Sequence, residues 1–384
     1  MRILLLNYEY PPVGGGGGVA SQKLAEEYVR QGHEVDCVTT GFGDLPAEET
    51  VNGVNVYRVK VFGGREKNSA GLLSLLSFPV CAYKQTKKLC NNKKYDIIDT
   101  HFAVPTGPLG VWMSKRIKTP LNLFIYGGDI YDPSKKFSPH RWALLRSVVN
   151  YVLNNSNRVI AEATDIKQKT EQYYKCKNPI EVIPVAYNII PFNAVSGKEL
   201  KLSDEKVYLI SGGRHVRRKD FGTLIKVLTV LDSNNVEILL FGDGPEQEQL
   251  RNLAAKLGVA DRVHFLGFIS EEKKFQYLNA SDIYVLSSLH EGFGIVIQEA
   301  MQVGLPIVAT NYGGQVDLIE DGVNGFLVDV GDYKAIAGKV KIILDDDVLS
   351  TKIKRANREK IKEFNATNVA KQILRRNEKG DTFI

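Results

Sequence analysis

Two glutamates with seven residues between them are the most informative candidates for chemistry in the sequence. Glu291 lies in a loop after an apolar run, and Glu299 lies about two turns into the predicted helix that follows. A carboxylate can accept the protons of two neighbouring hydroxyls, so Glu299 suits a ribose and Glu291 suits a sugar ring. Gly292 and Gly294 leave backbone amides open near the helix start. Taken separately, Glu291 also fits a solvated surface role, and Glu299 fits the first turns of a helix, where the dipole favours it.

A basic loop provides the second candidate. Arg214 and Lys219 are five residues apart, after one apolar run and at the entrance of a predicted helix. A guanidinium and an ammonium at this spacing can neutralise a departing diphosphate, a role that a metal plays in other enzymes. Considered alone, this segment is equally an ordinary basic loop.

A glycine-rich loop provides the third candidate. Gly14 to Gly18 follow the first apolar strand and precede a helix predicted from about Val19 to Gln31. Open backbone amides at a helix N-terminus can hold a phosphate or a sugar hydroxyl, whereas the alternative is a flexible surface turn. The second strand ends at Thr39 without an acidic ribose partner, which disfavours a dehydrogenase.

The segments around these loops alternate between strand-length apolar runs and helical periods, which predicts parallel sheets with helical crossovers. In the C-terminal half the predicted strands are 207–211, 236–241, 262–266, 282–287 and 306–310, and the predicted helices are 220–231, 245–257, 270–280 and 294–303. In the N-terminal half the predicted strands are 2–7, 34–39, 55–59, 97–100, 121–125, 158–161 and 180–183. The expected fold class is therefore α/β, with two Rossmann-like, doubly wound parallel-sheet domains.

The predicted domain boundaries follow from this alternation and from one polar interruption. Residues 1–190 are predicted to form an N-terminal domain, and 191–204 a hinge with proline and glycine. Residues 205–355 are predicted to form a C-terminal domain, and 356–384 a helix expected by analogy to pack back on the first domain. The active site is expected in a cleft between the domains.

Composition excludes several classes of protein. Hydrophobic residues make up 43% of the chain, which is typical of a globular protein, and the four cysteines lack zinc-ligand spacing. Neither a structural metal nor a disulfide framework is indicated, and reduced thiols in the cytoplasm are expected. The longest apolar stretch, 70–83, falls short of the ~20 residues of a spanning helix. Residues 2–7 predict a buried strand and no signal peptide.

The basic surplus falls entirely in the first half of the chain. Its clusters flank the apolar segment Leu72–Phe78, so this half could contact an anionic membrane surface; a solvated lysine face is the alternative. No recognition helix or aromatic stacking motif accompanies the charge, so nucleic acid is not an expected partner. The basic clusters are Arg65 and Lys67, then Lys84, Lys87 and Lys88, then Lys93 and Lys94, then Lys115, Arg116 and Lys118.

Taken with these three loops, the sequence resembles the retaining glycosyltransferases of the GT-B fold, specifically glycosyltransferase family 4. The resemblance covers nearly the whole chain. Further matching segments are Pro11-Pro12, Gly32-His33-Glu34-Val35, Gly242-Asp243-Gly244-Pro245, Gly304-Leu305-Pro306-Ile307-Val308-Ala309-Thr310 and Asn324-Gly325-Phe326-Leu327-Val328.

The resemblance implies sugar transfer from a nucleoside diphosphate sugar with retention of anomeric configuration and no cofactor or obligatory metal. It also implies that the domain of residues 1–190 binds the acceptor and that the domain of residues 205–355 binds the nucleotide sugar. It implies that Arg214 and Lys219 hold the diphosphate and that Glu299 holds the ribose. Glu291 is implied to hold the donor sugar. The other implied donor-binding residues are Gly15, Gly16 and Gly17 near the phosphates, Gly267 and Phe268 near the base, and Gly292, Phe293, Gly294, Ile295 and Val296 near the sugar.

One position departs from the family pattern. Many relatives carry a histidine where this chain has Tyr126, whose hydroxyl could donate a hydrogen bond in its place. His101 follows another predicted strand and is a candidate on the acceptor side, with a structural histidine as the alternative. Asp129 is a further acceptor-side candidate, or a helix cap.

Transfer from a UDP-sugar to a hydroxyl of a glycan or lipid-linked acceptor is the expected function. UDP is preferred on family frequency alone, and cell-envelope polysaccharide synthesis at the inner face of the membrane is the expected setting. A non-catalytic nucleotide-sugar-binding scaffold and a GT-B-type epimerase or phosphorylase are the alternatives.

Overall fold

The computed structural model describes residues 1–63, 65–66, 69–133, 137–231 and 233–378. For residues 65, 66, 69, 70 and 376–378 it describes the backbone alone. Lys67 of the first predicted basic cluster and residues 379–384 of the predicted C-terminal segment lie outside the described residues.

The elements follow one another in the β/α order that the sequence predicts. The strands are β1 Arg2–Asn7, β2 Glu34–Thr40, β3 Glu48–Val51, β4 Val54–Val59, β5 Arg65–Glu66, β6 Ser69–Ala70, β7 Ile97–His101, β8 Leu121–Ile125, β9 Arg158–Ala161, β10 Ile180–Val182, β11 Val207–Gly212, β12 Val236–Phe241, β13 Val263–Gly267, β14 Ile283–Leu286, β15 Ile307–Thr310 and β16 Phe326–Val328. The helices are α1 Gly16–Arg30, α2 Leu72–Asn92, α3 Gly107–Ile117, α4 Gly127–Ile130, α5 Ala143–Asn154, α6 Thr164–Tyr173, α7 Phe221–Val227, α8 Gln247–Lys256, α9 Glu271–Asn279, α10 Ile295–Val303, α11 Tyr333–Asp345, α12 Asp347–Lys360 and α13 Ala366–Glu378.

The chain divides into two compact units, Met1–Asn188 with the chain from Phe364 onward, and Ile189–Glu363. The first unit contains an eight-stranded sheet in the order β10-β9-β8-β7-β1-β2-β4-β3. All neighbouring pairs in it are parallel except β3 with β4. Ile3 to Leu6 are fully buried, so β1 is covered on both faces, as expected for a strand inside a parallel sheet.

The second unit contains a six-stranded, all-parallel sheet in the order β13-β12-β11-β14-β15-β16. The chain runs outward from β11 through β12 to β13 and then returns to β14 on the other side of β11. The strand order therefore reverses between β11 and β14, and open α/β sheets bind ligands at the carboxyl ends of strands at such a point. The two parallel sheets confirm the predicted fold class.

The last helix belongs with the first unit. The backbone NH of Tyr187 donates to Phe364 O at 2.8 Å, and Ala366 N donates to Tyr187 O at 3.0 Å. Arg158 Nη1, from β9, donates to Ile373 O of α13 at 2.6 Å. These bonds hold the end of the chain against the edge of the first sheet.

The helix after the glycine-rich loop begins earlier than the sequence predicts. α1 starts at Gly16 rather than near Val19, so three of the five glycines form its first turn. A Cβ on Gly17 would lie 2.3 Å from Cζ of Phe102, and one on Gly18 would lie 3.2 Å from Cβ of Glu9. Glycine is required here because neighbouring loops pack against the helix start, which helix propensity alone does not reveal.

Among the described residues, every helix is too short or too polar to cross a membrane.

Candidate active site

The loops that follow β11 and β14 form the candidate site of the second unit. Leu289 N donates to Arg218 O at 2.8 Å, and Ser287 Oγ donates to Lys219 O at 3.1 Å. These bonds join the two loops at the point where the strand order reverses. The basic residues of one loop are therefore held against the carboxylate of the other.

Glu291 is buried in a cluster of three donors from these loops. Lys219 Nζ lies 2.7 Å from Oε1, Ser288 Oγ donates to the same oxygen at 2.6 Å, and Arg218 Nη1 lies 3.2 Å from Oε2. Burial by itself would raise the pKa of Glu291, but the charges of Lys219 and Arg218 outweigh it and lower the pKa to about 2. The carboxylate is ionised at neutral pH, and its orientation is fixed.

The backbone of Glu291 is held by a third loop. Gly314 N donates to Glu291 O at 2.9 Å, and Glu291 forms a parallel bridge with Gly313. Gly313 has a φ of +100°, and a Cβ on Gly314 would lie 1.9 Å from Gly292 O. Gly313 and Gly314 were not predicted from the sequence, although two consecutive glycines after the strand β15 were a signal that could have found them.

Gly314→Ala is expected to lower the free energy of unfolding by about 1–3 kcal/mol, because the methyl group cannot fit against Gly292 O. The shifted loop should also weaken any ligand bound through Glu291. Gly338→Ala is the matched control, since Gly338 lies in α11 with open space around its Cβ position, and it should gain up to about 1 kcal/mol. Urea unfolding of both variants checks this, and equal stabilities would contradict it.

Glu299 lies on α10 in a separate ion pair. Its Oε1 is 2.6 Å from Nζ of Lys274, which comes from α9, and both side chains are largely buried. Gly294 precedes α10 with a φ of +107°, and its carbonyl accepts a hydrogen bond from Ile297 N at 2.8 Å. Glu291 and Glu299 therefore lie in two separate groups of charged side chains.

The remaining predicted donor residues occupy neighbouring strand ends and loops. Arg214 is exposed in the loop after β11, whereas Phe293 is buried. Gly267 ends β13 with a φ of +66°, and its carbonyl accepts a hydrogen bond from Gly242 N at 2.7 Å. Phe268 is 87% exposed. The predicted roles of these residues stay predictions.

Sequence reasoning missed three partners of the two glutamates. Arg218 and Ser288 contact Glu291, and Lys274 contacts Glu299. Arg218 stands beside the predicted Lys219, so the run Arg217-Arg218-Lys219 carried the signal, but the run alone does not tell which side chain turns inward. Among the described residues, no group of three or more His, Cys, Asp or Glu side chains is placed to hold a metal ion.

In the first unit, the glycine-rich loop is held by a carboxylate. Gly15 N donates to Glu9 Oε2 at 2.8 Å, and a Cβ on Gly14 would lie 2.5 Å from Cβ of Glu9. Gly16 and Gly17 continue into the first turn of α1, where backbone NH groups lack helical acceptors. The loop begins at the carboxyl end of β1. This is next to the point where the strand order of the first sheet reverses, between β1 and β7.

Tyr126 and His101 form a buried pair at the ends of β8 and β7. The hydroxyl of Tyr126 lies 2.6 Å from Nδ1 of His101, and the ring of Phe124 stacks on the imidazole at 4.5 Å. Burial lowers the pKa of His101 to about 3, so the imidazole is neutral at pH 7. His101 Nε2 is buried without a hydrogen-bond partner among the described residues. Tyr126 and His101 therefore form one buried, hydrogen-bonded pair.

Asp129 caps the short helix α4. Its Oδ1 accepts a hydrogen bond from Tyr126 N at 2.8 Å, and its Oδ2 accepts one from Ala103 N. Of the two interpretations open for Asp129, the structure shows the capping contact, which also fixes the backbone of Tyr126.

Tyr126→Phe is expected to lower the free energy of unfolding by about 1–3 kcal/mol, because His101 loses its partner in a buried site. Tyr174→Phe is the matched control, since the hydroxyl of Tyr174 is also buried and donates to Ile130 O at 2.7 Å. If the hydroxyl of Tyr126 contacts substrate, kcat falls in Tyr126→Phe and stays unchanged in Tyr174→Phe. Equal kcat in the two variants would assign Tyr126 a structural role only.

Comparison with known proteins finds a family match in each half of the chain. Residues 14–189 match the family described as Glycosyltransferase Family 4, and residues 195–360 match the family described as Glycosyl transferases group 1. An uncharacterized glycosyltransferase of Methanocaldococcus jannaschii is 29% identical over 97% of this chain and 97% of its own length.

Solved structures agree with the fold. Sucrose-phosphate synthase from Thermosynechococcus elongatus has a TM-score of 0.85 at 23% identity, with 98% of both chains covered. The Anabaena protein HepE, solved in complex with UDP and glucose, has a TM-score of 0.78 at 22% identity, with 99% of this chain and 100% of that chain covered. The fold is that of the GT-B glycosyltransferases.

The first part of the chain therefore carries a Glycosyltransferase Family 4 domain, and the second part carries a Glycosyl transferases group 1 domain. The resemblance read from the sequence is thereby confirmed, and so is the prediction of a glycosyltransferase.

Proposed function

We propose that the chain is a retaining glycosyltransferase that moves a sugar from a UDP-sugar to a hydroxyl of a glycan or lipid-linked acceptor, without a metal. The observation that carries this proposal is the cluster of Glu291 with Lys219, Arg218 and Ser288 at the reversal point of the second sheet. It combines fixed carboxylate oxygens for hydroxyl groups with fixed cations for phosphate groups. A nucleoside diphosphate sugar carries both kinds of group.

The proposed roles divide the donor among the loops of the second unit. Lys219 and Arg214 neutralise the diphosphate, Glu299 accepts the ribose hydroxyls, and Glu291 accepts hydroxyls of the sugar. Nζ of Lys219 lies 2.7 Å from Oε1 of Glu291, so the same ammonium can serve the carboxylate and the phosphate. The amides from Gly292 to Val296 add donors at the start of α10.

The remaining predicted positions keep their predicted roles in this proposal. The backbone near Gly267 and Phe268 receives the base. Gly15 to Gly17 offer backbone NH groups to the phosphates, and Tyr126 offers a hydroxyl to the substrate. His101 sets the direction of that hydroxyl, and Asp129 fixes the backbone beneath it.

The chemistry asks for positioning rather than for a side-chain nucleophile. The bond between the sugar and the diphosphate lengthens first, which gives an oxocarbenium-like sugar and a negatively charged leaving group. The acceptor hydroxyl then attacks from the face that the diphosphate leaves, and its proton passes to the phosphate. Cations held in a buried site stabilise the developing charge without reorganisation, an effect worth about 3–4 kcal/mol for one well-placed donor.

UDP is the proposed nucleotide because HepE, which shares the fold, is solved with UDP and with UDP-glucose. The basic surplus of the first unit supports an acceptor at an anionic membrane surface, and we place the protein at the cytoplasmic face of that membrane.

The test is slow hydrolysis of UDP-glucose, in which water replaces the acceptor. Proton NMR at early times should show UDP with α-glucose, because retention preserves the α-configuration of the donor. The rate should be unchanged by EDTA and should fall strongly in Glu299→Gln. Early release of β-glucose would contradict retention, and loss of activity with EDTA would contradict metal independence. UDP binding without release of any sugar from UDP-glucose or its common relatives would favour the non-catalytic scaffold.

A further inference from the structure

Three helices of the first unit, α2, α3 and α5, contain no Asp or Glu. A helical surface without acidic residues is unusual in a chain in which Asp and Glu number 44 of 384 residues. The six basic residues on these helices are Lys84, Lys87, Lys88, Lys115, Arg116 and Arg146. The surface that these helices expose therefore has a single sign of charge.

The same helices expose large apolar side chains. On α2 the outward positions are Leu72, Leu73, Leu76 and Val80, and Val80 is 72% exposed. The following outward positions of that helix are lysines, so its solvent face changes from leucine to lysine along its length. On the other two helices the exposed apolar residues are Trp112, Leu144 and Tyr151.

Contacts between the helices join these residues into one surface. Tyr83 of α2 stacks on Trp112 of α3, with ring centroids 4.2 Å apart. Lys115 of α3 lies 5.3 Å above the ring of Tyr151 of α5 and donates to Oδ1 of Asn155 at 2.6 Å. We call this surface the leucine–lysine face. It consists of the exposed apolar residues Leu72, Leu73, Leu76, Val80, Trp112, Leu144 and Tyr151 and the six basic residues named above.

Lys93, from one of the predicted basic clusters, does not belong to the face. Lys93 forms ion pairs with Glu34 and Asp36, at 2.8 Å in each case. These two carboxylates of β2 neutralise the charge of Lys93, so this lysine does not contribute to binding an anionic partner.

We propose that the leucine–lysine face docks on an anionic lipid bilayer, with its leucines among the acyl chains and its lysines at the phosphates. This inference rests on the proposed function in that it assigns the membrane partner of a lipid-linked acceptor. Charge complementarity identifies the occupant, because the face has cations and no acidic side chain on its helices. Exposed leucines beside Trp and Tyr rings match the interface between headgroups and acyl chains, and nucleic acid would leave them unused.

Both components of the face contribute to binding. Each lysine near an anionic surface changes the binding constant by about fivefold, and this effect weakens as salt shortens the screening length from about 10 Å to about 3 Å. The leucines add an apolar term that salt does not screen. Removal of either component should therefore weaken binding, but only loss of the lysines should abolish the preference for anionic lipid.

The experiment is co-sedimentation of the full chain with phosphatidylcholine vesicles that do or do not contain phosphatidylglycerol. Leu76→Ser with Val80→Ser removes apolar contacts, and Lys84→Glu with Lys88→Glu reverses two charges. The matched controls lie in the second unit, where Val348→Ser with Ile342→Ser and Lys334→Glu with Lys352→Glu change exposed residues of the same types. All substituted residues are exposed, so folding should be retained, and the thermal shift with UDP should equal that of the unaltered chain.

The expected result is binding to anionic vesicles that falls at least about tenfold in both variants of the face and in neither control. Failure to bind anionic vesicles would overturn the proposal, and so would equal losses in the controls. Binding that depends on the lysines but not on the leucines, and that duplex DNA competes away, would assign the face to a polyanion instead. The UDP shift is measured separately, so a missing donor site and a missing membrane face give different results.

Discussion

Glu291→Gln is expected to lower the free energy of unfolding by about 3 kcal/mol at pH 7 and to reduce sugar transfer at least about a hundredfold. The pKa of Glu291 is about 2 in the folded chain, against an ordinary value of 4.5. Each unit of difference in pKa corresponds to about 1.4 kcal/mol. The difference between 4.5 and about 2 therefore means that the ionised carboxylate contributes roughly 3 kcal/mol to stability. The variant loses this contribution and leaves Lys219 and Arg218 without their counter-charge.

The sign of the pH dependence follows from the lowered pKa. A carboxyl group with a lowered folded-state pKa stabilises the fold fully above its unfolded pKa, near 4.5, and loses that effect as the pH falls toward about 2. The stability difference between the unaltered chain and Glu291→Gln should therefore shrink between about pH 4.5 and pH 2. Urea unfolding across this range measures it.

Glu205→Gln is the matched control for that experiment. Glu205 is exposed in the second unit, so its substitution should change stability by less than about 0.5 kcal/mol at every pH. A Glu291→Gln chain as stable as this control at pH 7 would contradict the ion-pair account of the site.

Lys219→Met is expected to slow transfer about a hundredfold to a thousandfold, because the leaving diphosphate loses a preorganised cation. The side chain of Lys219 is 10% exposed and lies 2.7 Å from Glu291, so its removal also leaves the carboxylate with Arg218 and Ser288 alone. Stability should fall as well, since breaking one side of a buried pair costs about 3–5 kcal/mol.

The double variant Lys219→Met with Glu291→Gln separates the two effects. It removes both charges, so it should be more stable than the sum of the single losses predicts, while transfer stays low. Arg217→Met is the matched control for charge, because Arg217 is exposed in the same turn, and its kcat should stay within a few-fold of the unaltered chain. Simple additivity of the stability losses would contradict a direct Lys219–Glu291 coupling.

Most strands of both sheets, though not the edge strand β16, were predicted from the sequence because buried parallel strands are continuous apolar runs. β1, β8, β9 and β12 have the predicted bounds, and most of the other predicted strands differ by one or two residues. The antiparallel edge strand β3 was not predicted, because Glu48–Val51 has four residues and only a partly buried face. Local pattern therefore specified the interior of each sheet better than its edges.

For the site, the sequence identified the residues but not their pairing. Glu291 and Lys219 were named for different parts of a donor, yet they contact each other across 72 positions of the chain. That contact arises because β11 and β14 are neighbours in the sheet, and strand order is a property of the topology rather than of either loop. Lys274 reaches Glu299 because α9, which precedes β14, packs against α10, which follows it. The sequence of α9 by itself shows only an ordinary charged surface.

The most direct test of a UDP-sugar site on the second unit is calorimetric titration of the unaltered chain, Glu299→Gln and Lys219→Met with UDP, GDP and ADP. The account predicts that UDP binds the unaltered chain and that both variants bind it at least about tenfold more weakly, because each loses a charged contact worth at least about 1.4 kcal/mol. GDP and ADP are expected to bind the unaltered chain more weakly than UDP does. UDP that does not bind at millimolar concentration, or that binds both variants as tightly as the unaltered chain, would contradict it.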